Sequence, residues 1–236
     1  MVVDLEALRT VDNRLDVQVL VAPADSLMDT RLSVVNTDIS VRLYPPNDLG
    51  DLQYPQGKTP AQVKTTLVAR GNPDQWPFDS YTTEALSADV LVGAGSTRQF
   101  LPARVEVTGF LEGWDISSSR SGPSTQSSGA GDKVTITLHR DKGVLIFDLG
   151  ICLVLLSLPI MALYVAIQML RGTKKFMPPF AAWYAAMLFA IVPIRNILPG
   201  SPPPGAWIDQ ALVLWVLIAL VVAMVLYIVA WHRYSE

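Results

Sequence analysis

The sequence predicts a membrane protein in which an antiparallel β-sandwich domain, residues 1–142, is followed by a three-helix transmembrane bundle, residues 143–236. Three observations predict it. From Val144 to Trp231 the chain carries three apolar runs, VLIFDLGICLVLLSLPIMALYVAIQML, MPPFAAWYAAMLFAIVPIRNIL and QALVLWVLIALVVAMVLYIVAW, each of 22 residues or more. At about 1.5 Å per residue each can cross a hydrocarbon core of roughly 30 Å. Charged residues are mixed through the chain before Val144, but after it they are few and sit mostly at the ends of the runs. Before Val144, short stretches alternate apolar and polar side chains, the period of a half-buried strand.

Composition supports the division. The chain has 236 residues, 50% of them apolar, and a positive mean hydropathy, which suits a small exported domain on membrane helices. A buried hairpin in a soluble protein is excluded by the lack of apolar mass elsewhere to cover three such helices. The net charge of −3 and the lack of a basic run interleaved with aromatics exclude a nucleic-acid partner. The only cysteine, Cys152, lies within the first run and is expected to be a packing residue. Met1–Arg14 has no apolar core of the length an anchor needs, so export of the domain calls for an upstream segment or for an unaided first span.

Strands are expected where the alternation is clearest. Leu15, Val17, Val19 and Val21 share one face of the first. Further strands follow at 39–43, 63–67, 104–107 and 134–139, and a more fully buried one at 86–92. Clusters of Pro, Gly, Asn and Asp at 44–51, 71–77 and 93–96 punctuate them. Short strands without amphipathic helices between them point to a sandwich, with an open barrel as the lesser possibility. Residues 117–131, SSSRSGPSTQSSGAG, have almost no apolar side chain and are expected to form a mobile loop. The GAGDK at its end lacks the spacing and hydroxyl of a phosphate-binding loop.

The three spans are expected at about 144–170, 177–198 and 209–231. Pro159 and Pro193 fall inside helices, where each is expected to cause a kink, whereas Pro178 and Pro179 fall at a helix start. Asp148, Arg195 and Asp209 lie towards one side if the spans alternate in direction. A charge at that depth is costly without a partner, so Arg195 is expected to pair with Asp148, Asp209 or both. The simpler alternative is a snorkelling arginine and a helix-capping aspartate. Arg171, Lys174 and Lys175 crowd the first connection, and His232 and Arg233 close the third span, which places both in the cytoplasm and the β-domain outside. Lys133, Arg140 and Lys142 vote the other way.

Two stretches, QWPFDSYTTEALSADVLV at Gln75–Val92 and PIRNILPGSPPPGAWID at Pro193–Asp209, resemble an actinobacterial family of membrane proteins known as a domain of unknown function, number 4436. The resemblance covers the chain from about Leu15 and implies a β-domain followed by three helices. It carries no catalytic residue. The Pro77-Phe78-Asp79 triplet is also similar to the loop of pentameric ligand-gated channels that touches the membrane helices. This chain departs from those channels in having three spans and no polar-striped pore helix. The similarity implies that Trp76, Phe78, Asp79 and Tyr81 couple the β-domain to the second outer loop, which carries Trp207. Equally open is a proline turn with Phe78 in the core and Asp79 capping the turn.

Nothing in the sequence assembles a reaction centre. His139 and His232 are expected on opposite sides of the membrane, and GxSxG, HExxH and CxxC are all missing. Glu106, Glu112 and Asp115 suit a solvated face. The expectation is a protein without enzymatic activity, cofactor or metal, whose partners are membrane lipids and other membrane-complex subunits. It would serve as an accessory or regulatory subunit of a larger cell-envelope complex, such as a lipid transport machine. The alternative is a channel- or receptor-like protein coupling the β-sandwich to the helices, and ligand binding within the sandwich is a third.

Overall fold

A computed structural model describes residues 1–93, 95, 98–121, 133–173, 179–200 and 202–234. They form two compact units. One comprises Met1–Asn72 and Ser80–His139; the other joins Pro73–Asp79 to Arg140–Glu236.

The first unit is β-rich. Its strands are β1 (Val2–Arg9), β2 (Arg14–Leu20), β3 (Met28–Asp29), β4 (Val34–Val35), β5 (Ile39–Tyr44), β6 (Leu52–Tyr54), β7 (Val63–Gly71), β8 (Ser80–Thr83), β9 (Ser87–Val92), β10 (Gln99–Pro102), β11 (Glu106–Gly109), β12 (Trp114–Ser121) and β13 (Lys133–Arg140). A seven-stranded sheet runs β11-β1-β2-β7-β8-β13-β12, a four-stranded sheet runs β10-β9-β5-β6, and β3 pairs with β4. The alternation sets which side chains enter the core: Leu15, Val17 and Val19 of β2 and Ile39, Val41 and Leu43 of β5 belong to one buried cluster spanning both sheets.

The structure corrects two expectations and adds a strand. The pairing is not wholly antiparallel, because β11 lies parallel to β1, with Val2 opposite Glu106 and Leu5 opposite Gly109. A parallel neighbour needs a long connection, and here strands β2 to β10 intervene between the two. Met1–Arg14 supplies a strand: Val3 and Leu5 are buried, with a register shift between Leu5 and Ala7 interrupting the alternation. Residues 117–121 belong to β12 at the sheet edge, where few side chains face the core and backbone pairing holds the strand. The rest of the expected loop, 122–131, and the GAGDK glycines lie outside the described residues.

Tyr54, on the four-stranded sheet, donates its hydroxyl to the Val19 carbonyl of the seven-stranded sheet at 2.9 Å. Burial pushes its phenol up to about 12. A folded-state value above the unfolded value near 10 adds stability below that value and loses it as pH rises through the folded one. Tyr54→Phe is expected to cost about 1 kcal/mol at neutral pH. It should also remove part of the stability loss between pH ~10 and about 12, as thermal unfolding of the whole chain across alkaline pH would show.

In the second unit, α1 (Lys142–Leu170) has 29 residues, α2 (Phe180–Asn196) has 17, and α3 (Leu214–Tyr234) has 21 and follows a π-helical turn at Asp209–Val213. Asp141 caps α1 by accepting from the Gly143 amide at 2.9 Å. The helices share one buried seam that includes Leu155 and Ala162 of α1, Tyr184 and Ile191 of α2, and Leu220 and Tyr227 of α3. The Tyr184 hydroxyl donates to the Ala162 carbonyl at 3.0 Å, and the Tyr234 hydroxyl to the Leu170 carbonyl at 3.1 Å. The latter bond brings the C-terminal ends of α1 and α3 together.

Two helical stretches, Lys142–Leu170 and Asp209–Tyr234, are long and apolar enough to cross a membrane. Only 17% and 22% of their most apolar stretches are buried; a core helix of a soluble protein would be mostly buried. α2 is shorter than the expected 177–198. Its 17 residues reach the lower limit of roughly 17–25 needed to span. Lys174, Lys175, Met177 and Pro178 lie outside the described residues.

Candidate functional site

The most elaborated part of the second unit lies where α1 begins, α2 ends and α3 begins. Segment Pro73–Asp79 is folded into it. Trp76 is fully buried in a cluster with Cys152, Leu198, Ala206 and Ile208. Its indole N–H donates to the Pro199 carbonyl at 3.1 Å, and the Trp207 indole N–H donates in return to the Trp76 carbonyl. Both polar edges of a deeply placed segment are thereby satisfied.

Beside it is a buried ion pair. Arg140 Nε donates to Asp79 Oδ1 at 2.7 Å and Nη2 to Oδ2 at 3.1 Å, with the side chains 6% and 1% exposed. This two-bond fork is the strong form of a carboxylate–guanidinium contact. Gly200 permits it. With φ at +73°, an added Cβ would stand 2.1 Å from Arg140 Nη1, so only glycine suits both the turn and the approach. Asp148, on the second turn of α1, is fully buried, and neither of its oxygens has a hydrogen-bond partner among the described residues. Arg140 and Asp79 are its charged neighbours.

Arg195 forms a second fork. Nε and Nη2 donate to Asp209 at 2.9 and 2.8 Å, and Nη2 also reaches the Pro202 and Pro203 carbonyls at 2.9 and 3.3 Å. Asp209 further accepts from the Gly205 amide at 3.0 Å. The guanidinium thus ties the proline-rich connection to the π-helical turn that leads into α3. Of the two partners expected for Arg195, Asp209 takes it. Asp148 faces the other pair.

The aromatic candidates divide. Trp76 and Trp207 meet, as does Asp79 with the helical unit. Phe78 is 60% exposed, so it is not a core residue, and Asp79 binds Arg140 instead of capping a turn. Tyr81 belongs elsewhere: it is buried in the β-rich unit with its ring edge-on to Trp114 at 5.4 Å. Sequence reasoning missed Arg140, Pro199 and Gly200 as site residues. The available signal was Arg140 directly before a capping aspartate and an apolar run. Among the described residues, no group of three His, Cys, Asp or Glu side chains could hold a metal ion.

Residues 1–138 match a family described as a domain of unknown function (DUF4436). The chain belongs to the DUF4436 family. The DUF4436 match begins at Met1, ahead of Leu15, and ends before the helices, where residues 140–234 match a second family, also a domain of unknown function (DUF8686). The two stretches that carried the resemblance therefore fall in different families: Gln75–Val92 in DUF4436, Pro193–Asp209 in DUF8686. No curated protein matches the chain. Segment Pro73–Asp79 is part of the DUF4436 match yet folds with the helices of the DUF8686 match.

Because Trp76 and Cys152 share one cluster, Trp76→Ala is expected to cost about 3–5 kcal/mol and to open the only cysteine to thiol reagents. Gly200→Ala should displace Arg140 and give a similar rise in labelling. Maleimide labelling rates of the detergent-solubilised variants, each compared with the wild type, check both.

Proposed function

We propose that the protein is a multi-pass integral membrane protein in which a β-sandwich is carried on a three-helix bundle. It acts without enzymatic chemistry, as an accessory or regulatory subunit of a larger cell-envelope complex, a transport machine such as one that moves lipids. On this reading the β-domain is extracytoplasmic and the C-terminus cytoplasmic, with Arg171, His232 and Arg233 on the inner side.

The observation that carries the reading is the outward surface of the helices. Leu153, Ile160 and Met161 of α1, Phe189 of α2, and Trp215 and Val221 of α3 are large, apolar and exposed. Such a surface needs a lipid or protein covering. At the buried end Arg140 binds Asp79, and Arg195 binds Asp209 and backbone carbonyls, an arrangement that holds a shape. In detergent extracts of native membranes, native gels and crosslinking are expected to show a defined larger complex whose co-purifying subunits mass spectrometry identifies. A protein that migrates and crosslinks only as a monomer would contradict the reading.

Inclusion of Pro73–Asp79 in the helical unit favours a second reading, a receptor- or channel-like coupling of the β-domain to the helices. That reading requires a symmetric oligomer with conductance in planar bilayers.

A further inference from the structure

Asp148 is a buried carboxyl without a hydrogen bond among the described residues, and its surroundings show why it is tolerated. Three groups face one another: Arg140 at the end of β13, Asp79 on the Pro73–Asp79 segment, and Asp148 on α1, with the Cys152 thiol one turn further along. The other charged pair at this end, Arg195 with Asp209, is closed on itself and on carbonyl groups. Asp148 does not cap its helix, because Asp141 already does.

With both aspartates ionised, the cluster would hold two negative charges against one guanidinium. An unpaired carboxylate away from water is far costlier than a carboxylic acid, and one bound proton restores neutrality. Geometry places that proton. Asp79 receives two charge-assisted bonds from Arg140, whereas the Asp148 oxygens receive none among the described residues. We propose that Asp148 is a proton-binding site, occupied while Arg140 is bound to Asp79, whose emptying draws Arg140 to Asp148 and unseats the Pro73–Asp79 segment. The step is a simple ionisation: the O–H bond of the acid breaks, the proton passes to solvent, and the new carboxylate competes for the guanidinium. The Nε–Nη2 edge that now holds Asp79 serves one carboxylate bidentately at a time, so a carboxylate that takes this edge displaces the other.

The test uses the full chain in lipid nanodiscs. Infrared spectra at mildly acidic pH are expected to show a protonated-carboxyl band in the wild type that Asp148→Asn lacks; identical spectra would overturn the site. Hydrogen exchange of peptides covering 73–79, corrected for the base-catalysed intrinsic rate at each pH, is expected to rise several-fold in the wild type over the interval in which the band disappears. Asp148→Asn should not show the rise. Asp148→Leu, which removes the carboxyl without burying an amide, supplies the same comparison if the Asn variant does not fold. Exchange that is equal in all chains at every pH, or a band that persists until the chain unfolds, would overturn the switch.

Discussion

The helical unit depends at its most polar end on the contact between Arg140 and Asp79. Two charges taken this far from water are tolerated only when paired, and removing Arg140 leaves Asp79 uncompensated at a cost of about 3–5 kcal/mol. The pair joins residues 61 positions apart and thereby holds Pro73–Asp79 in the same compact unit as the helices. Trp76 fills the apolar space beside it, and its indole N–H and carbonyl are satisfied by Pro199 and Trp207, both on the connection between α2 and α3.

Arg195 uses the same device on that connection. Prolines supply carbonyls but no amide donors, so a proline-rich loop presents acceptors that need a donor rich in N–H groups. The guanidinium meets that need at Pro202 and Pro203 while paired with Asp209. Two arginines thus organise a stretch whose backbone can do little for itself. Gly200, directly after Pro199, supplies the turn and the space against Arg140.

Much of the architecture was legible because burial repeats with the period of the backbone. Leu15, Val17 and Val19 announce β2, and the long apolar runs announce α1 and α3. What escaped was structure held by partners distant in sequence. The SSSRS run of β12 has too few apolar side chains to signal a strand, and only its position beside β13 makes it one. In β1, the shift between Leu5 and Ala7 blurs an alternation that begins clearly at Val3. At the site, Arg195 and Asp209 were legible as opposite charges flanking apolar runs. Arg140 and Asp79 each have an ordinary polar setting in sequence, and nothing local links them. Trp76 and Tyr81 look alike as neighbouring aromatics, yet β8 begins between them and sends Tyr81 into a different core.

The central claim is that Arg140 and Asp79 act as one unit in holding the segment to the helices. A double-mutant cycle combining Asp79→Leu with Arg140→Leu, followed by thermal unfolding in detergent, measures it most directly. The account predicts two strongly destabilised single variants and a double variant much less destabilised than their sum, a coupling of about 2–3 kcal/mol. Additive effects would contradict it.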